Sequence, residues 1–190
     1  LEEYRLEKIR CFLAIDLPLD LRKKVTELQR KIQESKPDVK WVEEENLHLS
    51  IRFLGEIEEE VVERVKEIAE RCAKTFKPFK VSLRSIGVFP SLAYLRVIWV
   101  GAEDQEIKRI HDSIDEELQK IGFAKDKKFV PHLTIGRVRS ARNKGELLAK
   151  LKDNWSAEIG EFEVKEIKLK QSKLTPKGPI YSDIAEFKLG

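Results

Sequence analysis

Two short stretches hold most of the chemistry this sequence could perform. Residues 45–55 read ENLHLSIRFLG, and residues 128–138 read KFVPHLTIGRV. In register, His48 matches His132, Leu49 matches Leu133, Ser50 matches Thr134 and Ile51 matches Ile135. The chain has 3 histidines, and two of them lie in this repeated His-Leu-hydroxyl-Ile tetrapeptide. An ordinary strand has little reason to choose His, and less to choose it twice in one context. Both runs alternate as strands do, so each imidazole shares a face with the hydroxyl two residues on, about 7 Å away. Strict alternation adds Arg52 to the face of His48 and Ser50. It sends Leu49, Ile51 and Phe53 to the opposite face, toward a core.

If the two strands face each other across a cleft, the site holds two groups that titrate near neutral pH and two hydroxyl donors. Phosphoryl transfer without a metal needs such a set. One group removes a proton from the attacking oxygen, another protonates the leaving oxygen, and donors or cations hold the phosphate. Other chemistries fit less well. A zinc site needs three or four ligands, and no Cys, Asp or Glu cluster surrounds either histidine. The Glu43-Glu44-Glu45 run reads as a solvated turn. Ser50 has no nucleophile-elbow sequence around it, and neither a GxxxxGK[ST] nor a GxGxxG loop is present. His111, beside Asp112 in a helical stretch, reads as a surface residue.

The elements that must position these groups follow from periodicity. Strands are expected over Ile9–Leu17, Lys40–Val42, Leu47–Phe53, Phe79–Val88, Leu92–Val100, Phe129–Val138, Phe162–Leu169 and Ile180–Phe187. Helices are expected over Asp20–Gln33, Glu58–Cys72 and Asp104–Ile121, each with an apolar stripe at helical spacing, and a short one over Lys144–Leu151. The stretch from Ser172 to Pro179 reads as a loop. The order strand, helix, strand, strand, helix, strand recurs about once per half. That pattern favours an α+β fold of two similar lobes, each an antiparallel sheet backed by helices, related by a pseudo-twofold about a central cleft. The 190 residues then form one bilobal domain, with approximate lobes 1–90 and 91–190 between which strands can exchange.

Composition bounds the rest. Hydrophobic residues make up 41% and charged residues 37% of the chain, which excludes a disordered protein. The high charge and the absence of Met resemble proteins from hot environments. A net charge of +3 permits an anionic substrate or a nucleic-acid end without requiring one. Two cysteines allow at most one bridge, so a reducing cytoplasmic setting is expected. The apolar run Ile9–Leu19 is too short, and interrupted by Asp16, for a membrane span. Trp41 and Trp99 read as core.

HLSIRF and HLTIGR resemble the paired motifs of the two-histidine phosphoesterases. Within that superfamily, CFLAIDLP, SIGVFPSLAYLRVIWVG and KLTPKGPIYSDIAEFKLG are similar to the archaeal and bacterial RNA 2′,3′-cyclic phosphodiesterase (2′-5′ RNA ligase) family, over nearly the whole chain from about residue 9. The resemblance implies hydrolysis of RNA 2′,3′-cyclic phosphate ends to 2′-phosphates, with no metal and no other cofactor. It implies His48 as general acid and His132 as general base. Ser50 and Thr134 would hold phosphate oxygens, Arg137 would add positive charge, and Phe53 would stack on the terminal base. Ser50 departs from the family's usual Thr but keeps the donor. Phe53 and Arg137 each lie five positions after a histidine, so strict alternation puts them on the wrong face unless a bulge or a strand end re-aims them.

Three functions follow as alternatives. The first is the hydrolase, acting on RNA ends such as tRNA fragments or on small cyclic nucleotides. The second is the ligase joining cyclic-phosphate and 5′-hydroxyl RNA ends through the same acid and base. The third is an RNA-end or nucleotide-binding module without turnover. Arg137, Arg139, Arg142 and Lys144, with Lys170, Lys173 and Lys177, could guide RNA, although a charge cluster is commonly a solvated face. A monomer is expected, and no membrane partner.

Overall fold

The computed structural model describes residues 7–190. The chain opens with β1 (Lys8–Asp16), whose buried run Cys11–Ile15 marks a central strand, and α1 (Leu19–Gln33) follows directly. Pro18 sits just ahead of the helix, where its missing N–H is harmless. Leu21, Val25, Leu28 and Ile32 form the buried stripe of α1. Next come β2 (Val39–Trp41), a 3-10 turn over Glu44–Asn46, β3 (His48–Glu58) and α2 (Glu59–Ala73). The antiparallel pair β4 (Phe79–Pro90) and β5 (Leu95–Glu103) leads into α3 (Gln105–Lys120), whose first turn is capped by the Asp104 side chain on the Glu106 N–H. The chain ends with β6 (His132–Val138), α4 (Lys144–Asp153), β7 (Glu158–Val164), β8 (Glu166–Thr175) and β9 (Gly178–Lys188).

The nine strands form two antiparallel sheets, one in the order β3-β1-β8-β9 and one in the order β2-β6-β5-β4-β7. The α+β class, the two sheets and the four helices are as the periodicity predicts. Strands are exchanged between the two halves of the chain. β4 from the first half pairs with β5 and β7, and β8 from the second half pairs with β1. The helices interleave too. α2 and α3 cover the first sheet, whereas α1, which leads from β1 of that sheet to β2 of the other, packs on β6, β7 and α4. Each half thus lends one helix and two strands to the other's sheet: α1, β2 and β4 in one direction, α3, β8 and β9 in the other.

Local differences from the sequence reading have physical causes. The strand expected over Phe162–Leu169 is two strands in different sheets, parted at Lys165. The apolar alternation changes phase there: Phe162 and Val164 are buried on one side of the break, Ile167 and Leu169 on the other. Ser172–Pro179 is not a loop but the end of a hairpin closed by Pro176-Lys177. Its apolar residues Leu174 and Ile180 stand in solvent and leave no core signature. β6 starts at His132, three residues later than expected, because Pro131 has no N–H to pair. Among the described residues, no helix is long and apolar enough to cross a membrane.

Candidate active site

Both histidine strands carry the same irregularity. Along β3, Asp16 lies opposite His48, Ile15 opposite Leu49, Ala14 opposite Ser50 and Leu13 opposite Arg52, so Ile51 has no partner. Along β6, Gly101 lies opposite His132, Val100 opposite Leu133, Trp99 opposite Thr134 and Ile98 opposite Gly136, so Ile135 has none. Each strand therefore bulges three residues after its histidine, and the side-chain phase inverts beyond it. Ile51 and Arg52 both turn into the core, as do Ile135 and Gly136. Phe53 and Arg137 swing onto the histidine face. The bulge overturns the strict-alternation reading of Arg52 and Phe53. Arg52 is buried, and Phe53 is 60% exposed.

β3 and β6 approach each other between the two sheets, over a cleft of about 600 Å³. His48, Ser50, Phe53, His132, Thr134 and Arg137 all line it, joined by Arg10, Phe12, Lys40, Phe89 and Tyr181. The cleft gathers the six site residues that the two motifs suggested.

The rings are held alike. His48 Nδ1 lies 2.7 Å from the Asn46 carbonyl, and His132 Nδ1 lies 2.6 Å from the Val130 carbonyl. A carbonyl only accepts, so Nδ1 carries the proton in both and Nε2 is left for proton exchange. At His48 the Ser50 hydroxyl donates to Nε2 at 3.0 Å. Each ring is also flanked by two aromatics. Phe12 lies 4.9 Å and Tyr181 5.2 Å from His48, the latter edge-on. Phe89 lies 5.0 Å from His132, also edge-on, and Trp99 lies 6.0 Å away. Gly87 makes room for Trp99: a Cβ there would fall 2.0 Å from the indole.

Burial holds both imidazoles below the usual histidine value of 6.5, and the charge of Arg137 lowers both further. The surroundings then diverge. At His48 the Asn46 hydrogen bond and the Asp16 charge push upward while Lys170 pushes downward. At His132 the Val130 hydrogen bond is the only upward influence. Asp16 itself lies in a ring with Lys168, Lys170 and Asp183, at contacts of 2.6–3.0 Å. Cys11 borders the cleft, but burial pushes its thiol up to about 11, so it stays a protonated non-nucleophile near neutral pH.

Other expectations need correction. Lys170 is buried against Asp16 and Asp183 and offers no free charge to RNA. Trp99 flanks His132 instead of joining the core, whereas Trp41 does pack on the core and donates its indole N–H to Gln33. His111 is not a surface residue. It is 4% exposed, stacked on Phe129, with Nδ1 at 2.9 Å from Asp112 and Nε2 at 3.0 Å from Asp126. Arg52 donates to Asp115 at 2.8 Å, to its neighbour Phe53's carbonyl at 2.8 Å and to the Ala124 carbonyl at 2.6 Å. Asp115 in turn accepts the Asp126 N–H. The first motif is thereby tied to the segment that leads into the second. Phe12 and Tyr181 went unmarked in the sequence, since single aromatics in apolar or hairpin runs carry no motif. Among the described residues, no three His, Cys, Asp or Glu side chains gather as a metal would require.

Paired imidazoles, two hydroxyls and an arginine in one cleft make up a set suited to acid–base chemistry at a phosphate ester. The comparisons agree with that class. The model of the family described as LigT like Phosphoesterase matches twice, over residues 15–99 and 100–181, once per histidine motif. Similar proteins called RNA 2′,3′-cyclic phosphodiesterase include one from Methanocaldococcus jannaschii, 42% identical over 94% of this chain and 100% of the relative. Another, from Methanothermobacter thermautotrophicus, is 39% identical over 96% of this chain and 100% of the relative. Among solved structures, the TT0787 protein of Thermus thermophilus superposes with a TM-score of 0.82 at 29% identity, covering 95% of this chain and 98% of that one. The chain belongs to the LigT-like phosphoesterase family.

Proposed function

We propose that this protein hydrolyses RNA 2′,3′-cyclic phosphate ends to 2′-phosphomonoesters, with His48 as general acid and His132 as general base and no metal in the step. The observation that carries the reading is the matched pair of imidazoles on one cleft, each fixed through Nδ1 to a backbone carbonyl. The names of the similar proteins support the substrate class.

Water attacks phosphorus while His132 Nε2 takes its proton. The P–O3′ bond breaks, and the His48 imidazolium gives its Nε2 proton to the departing O3′. The phosphate remains on O2′, and solvent resets both rings. Ser50, Thr134 and Arg137 hold the non-bridging oxygens and absorb the charge that grows on them. Phe53 offers its exposed ring to the terminal base. The assignment of acid and base follows the family resemblance; the structure adds that the two rings have unlike neighbours, an Asp16–Lys170 pair beside His48 and no counterpart at His132. One chain supplies both rings, so a monomer suffices. The two unpaired, buried cysteines fit a reducing cytoplasm.

The test is turnover of a 2′,3′-cyclic mononucleotide and of a cyclic-ended oligoribonucleotide in EDTA, with the product identified by mass and phosphatase sensitivity. Hydrolysis to the 2′-phosphate in EDTA is expected. Loss of turnover with EDTA, or a 3′-phosphate product, overturns the mechanism.

A further inference from the structure

A second concavity, about 220 Å³, lies outside the cleft. Tyr94, Arg96, Arg139, Ser140 and Lys144 form its polar lining, and no carboxylate lines it. Other surface cations are neutralised in place, as in Lys40–Glu43, Arg71–Glu117, Arg84–Glu103 and Lys188–Glu166. Arg96, Arg139 and Lys144 have no such carboxylate partner among the described residues. The pocket is nonetheless built. Lys144 Nζ donates to the Ala93 carbonyl at 2.6 Å, which ties the start of α4 to the β4–β5 turn. The Arg96 guanidinium lies 4.6 Å from the centre of the Tyr94 ring, and that ring is 56% exposed.

Its position relates it to the cleft. Val97 and Arg137 face each other across β5 and β6, and both line the cleft. The next residues outward, Leu95–Arg96 on β5 and Val138–Arg139 at the end of β6, line the second pocket. The two sites are therefore consecutive along one strand pair, about two residues or 7 Å apart. Unpaired cations beside an exposed aromatic are what single-stranded nucleic acid requires: charge for the backbone and a flat face for a base.

We infer that this pocket holds the RNA strand upstream of the cyclic phosphate, with Arg96, Arg139 and Lys144 on phosphodiesters and Tyr94 under a base. The inference rests on the hydrolase reading and deepens it, because it makes the protein prefer oligoribonucleotide ends to free cyclic nucleotides.

The experiment compares a 2′,3′-cyclic mononucleotide with a cyclic-ended oligoribonucleotide long enough to leave the cleft, on the wild type, on the triple variant Arg96→Ala/Arg139→Ala/Lys144→Ala, and on Arg139→Glu alone. For the oligomer, KM should rise in both variants while kcat holds. Mononucleotide turnover should not change, which also reports intact folding. Three phosphate contacts on a single strand give a salt slope of about −2, so raising salt from about 50 to 200 mM should cost the wild type roughly twentyfold more oligomer kcat/KM than the triple variant. Anisotropy with the 2′-phosphorylated product oligomer measures the contact without turnover. If the variants bind and process the oligomer as the wild type does, or lose both substrates together, the inference is overturned. Oligomer binding that depends on these cations, in a protein that turns over neither substrate, would overturn the hydrolase reading and leave the RNA track standing.

Discussion

The two imidazoles share their backbone anchor and their aromatic flanks but differ in charge environment. Replacing either by alanine removes one member of the proposed acid–base pair, so His48→Ala and His132→Ala should each lower turnover by about three orders of magnitude or more. Arg137 lowers both rings. The base must be neutral to act, so the acid limb of kcat/KM lies below pH 6.5 in the wild type. In Arg137→Gln that limb should move to higher pH, because the lowering charge is gone, and kcat should fall with the lost phosphate contact. A pH–rate profile of the variant checks both. At this scale much was legible in the sequence: the repeated tetrapeptide exposed the histidines and hydroxyls because imidazole is a rare choice for a strand. The partners that hold the rings were not legible. Phe12 lies in an apolar run, Tyr181 on a hairpin, and the Nδ1 acceptors are backbone carbonyls, which have no sequence signature.

At the scale of elements, the paired bulges decide which residues face the cleft. A period of two cannot anticipate one unpaired residue, so alternation alone assigns Arg52 to the cleft and Phe53 to the core, the reverse of their places. What Arg52 does instead is structural. Its loss would leave Asp115 buried without its cation, and Arg52→Leu should destabilise the fold by about 3–5 kcal/mol, measured by denaturant unfolding. Gly87 tests the other strand's support. The alanine methyl of Gly87→Ala would meet the Trp99 ring and push it from the flank of His132. Displacements of about 1 Å can cost on the order of a hundredfold, so kcat should fall by up to that factor while the melting temperature moves little.

Across the whole molecule, element types were readable from periodicity, whereas their distribution between sheets was not. Nothing local tells β4 to join the sheet of the following half, or β8 to return to β1. A fragment of residues 1–90 would hold β1 and β3 without β8, and β4 without either of its partners. It should show no cooperative melt alone. The ring of Asp16, Lys168, Lys170 and Asp183 is one product of this exchange, because it joins β1 to β8 and β9. Burial raises both carboxyls, and hydrogen bonds and charge from the two lysines more than reverse it, leaving both below the usual 3.8. Their contribution is complete above that value and disappears as pH falls through the lowered ones, so thermal stability should drop in acid below about pH 4. A scan of melting temperature against pH, with Lys168→Met/Lys170→Met as the control lacking the effect, checks the assignment.

Crossed-over halves also bear on how a single polypeptide came to hold unlike proton carriers. Two identical half-length chains with arms exchanged would assemble a similar hollow, but symmetry would oblige both rings to have equal neighbours. Covalent fusion lifts that constraint. An aspartate faces one ring across its sheet and a glycine faces the other, so in the proposed reaction each ring can keep one office instead of being chosen anew at every turnover.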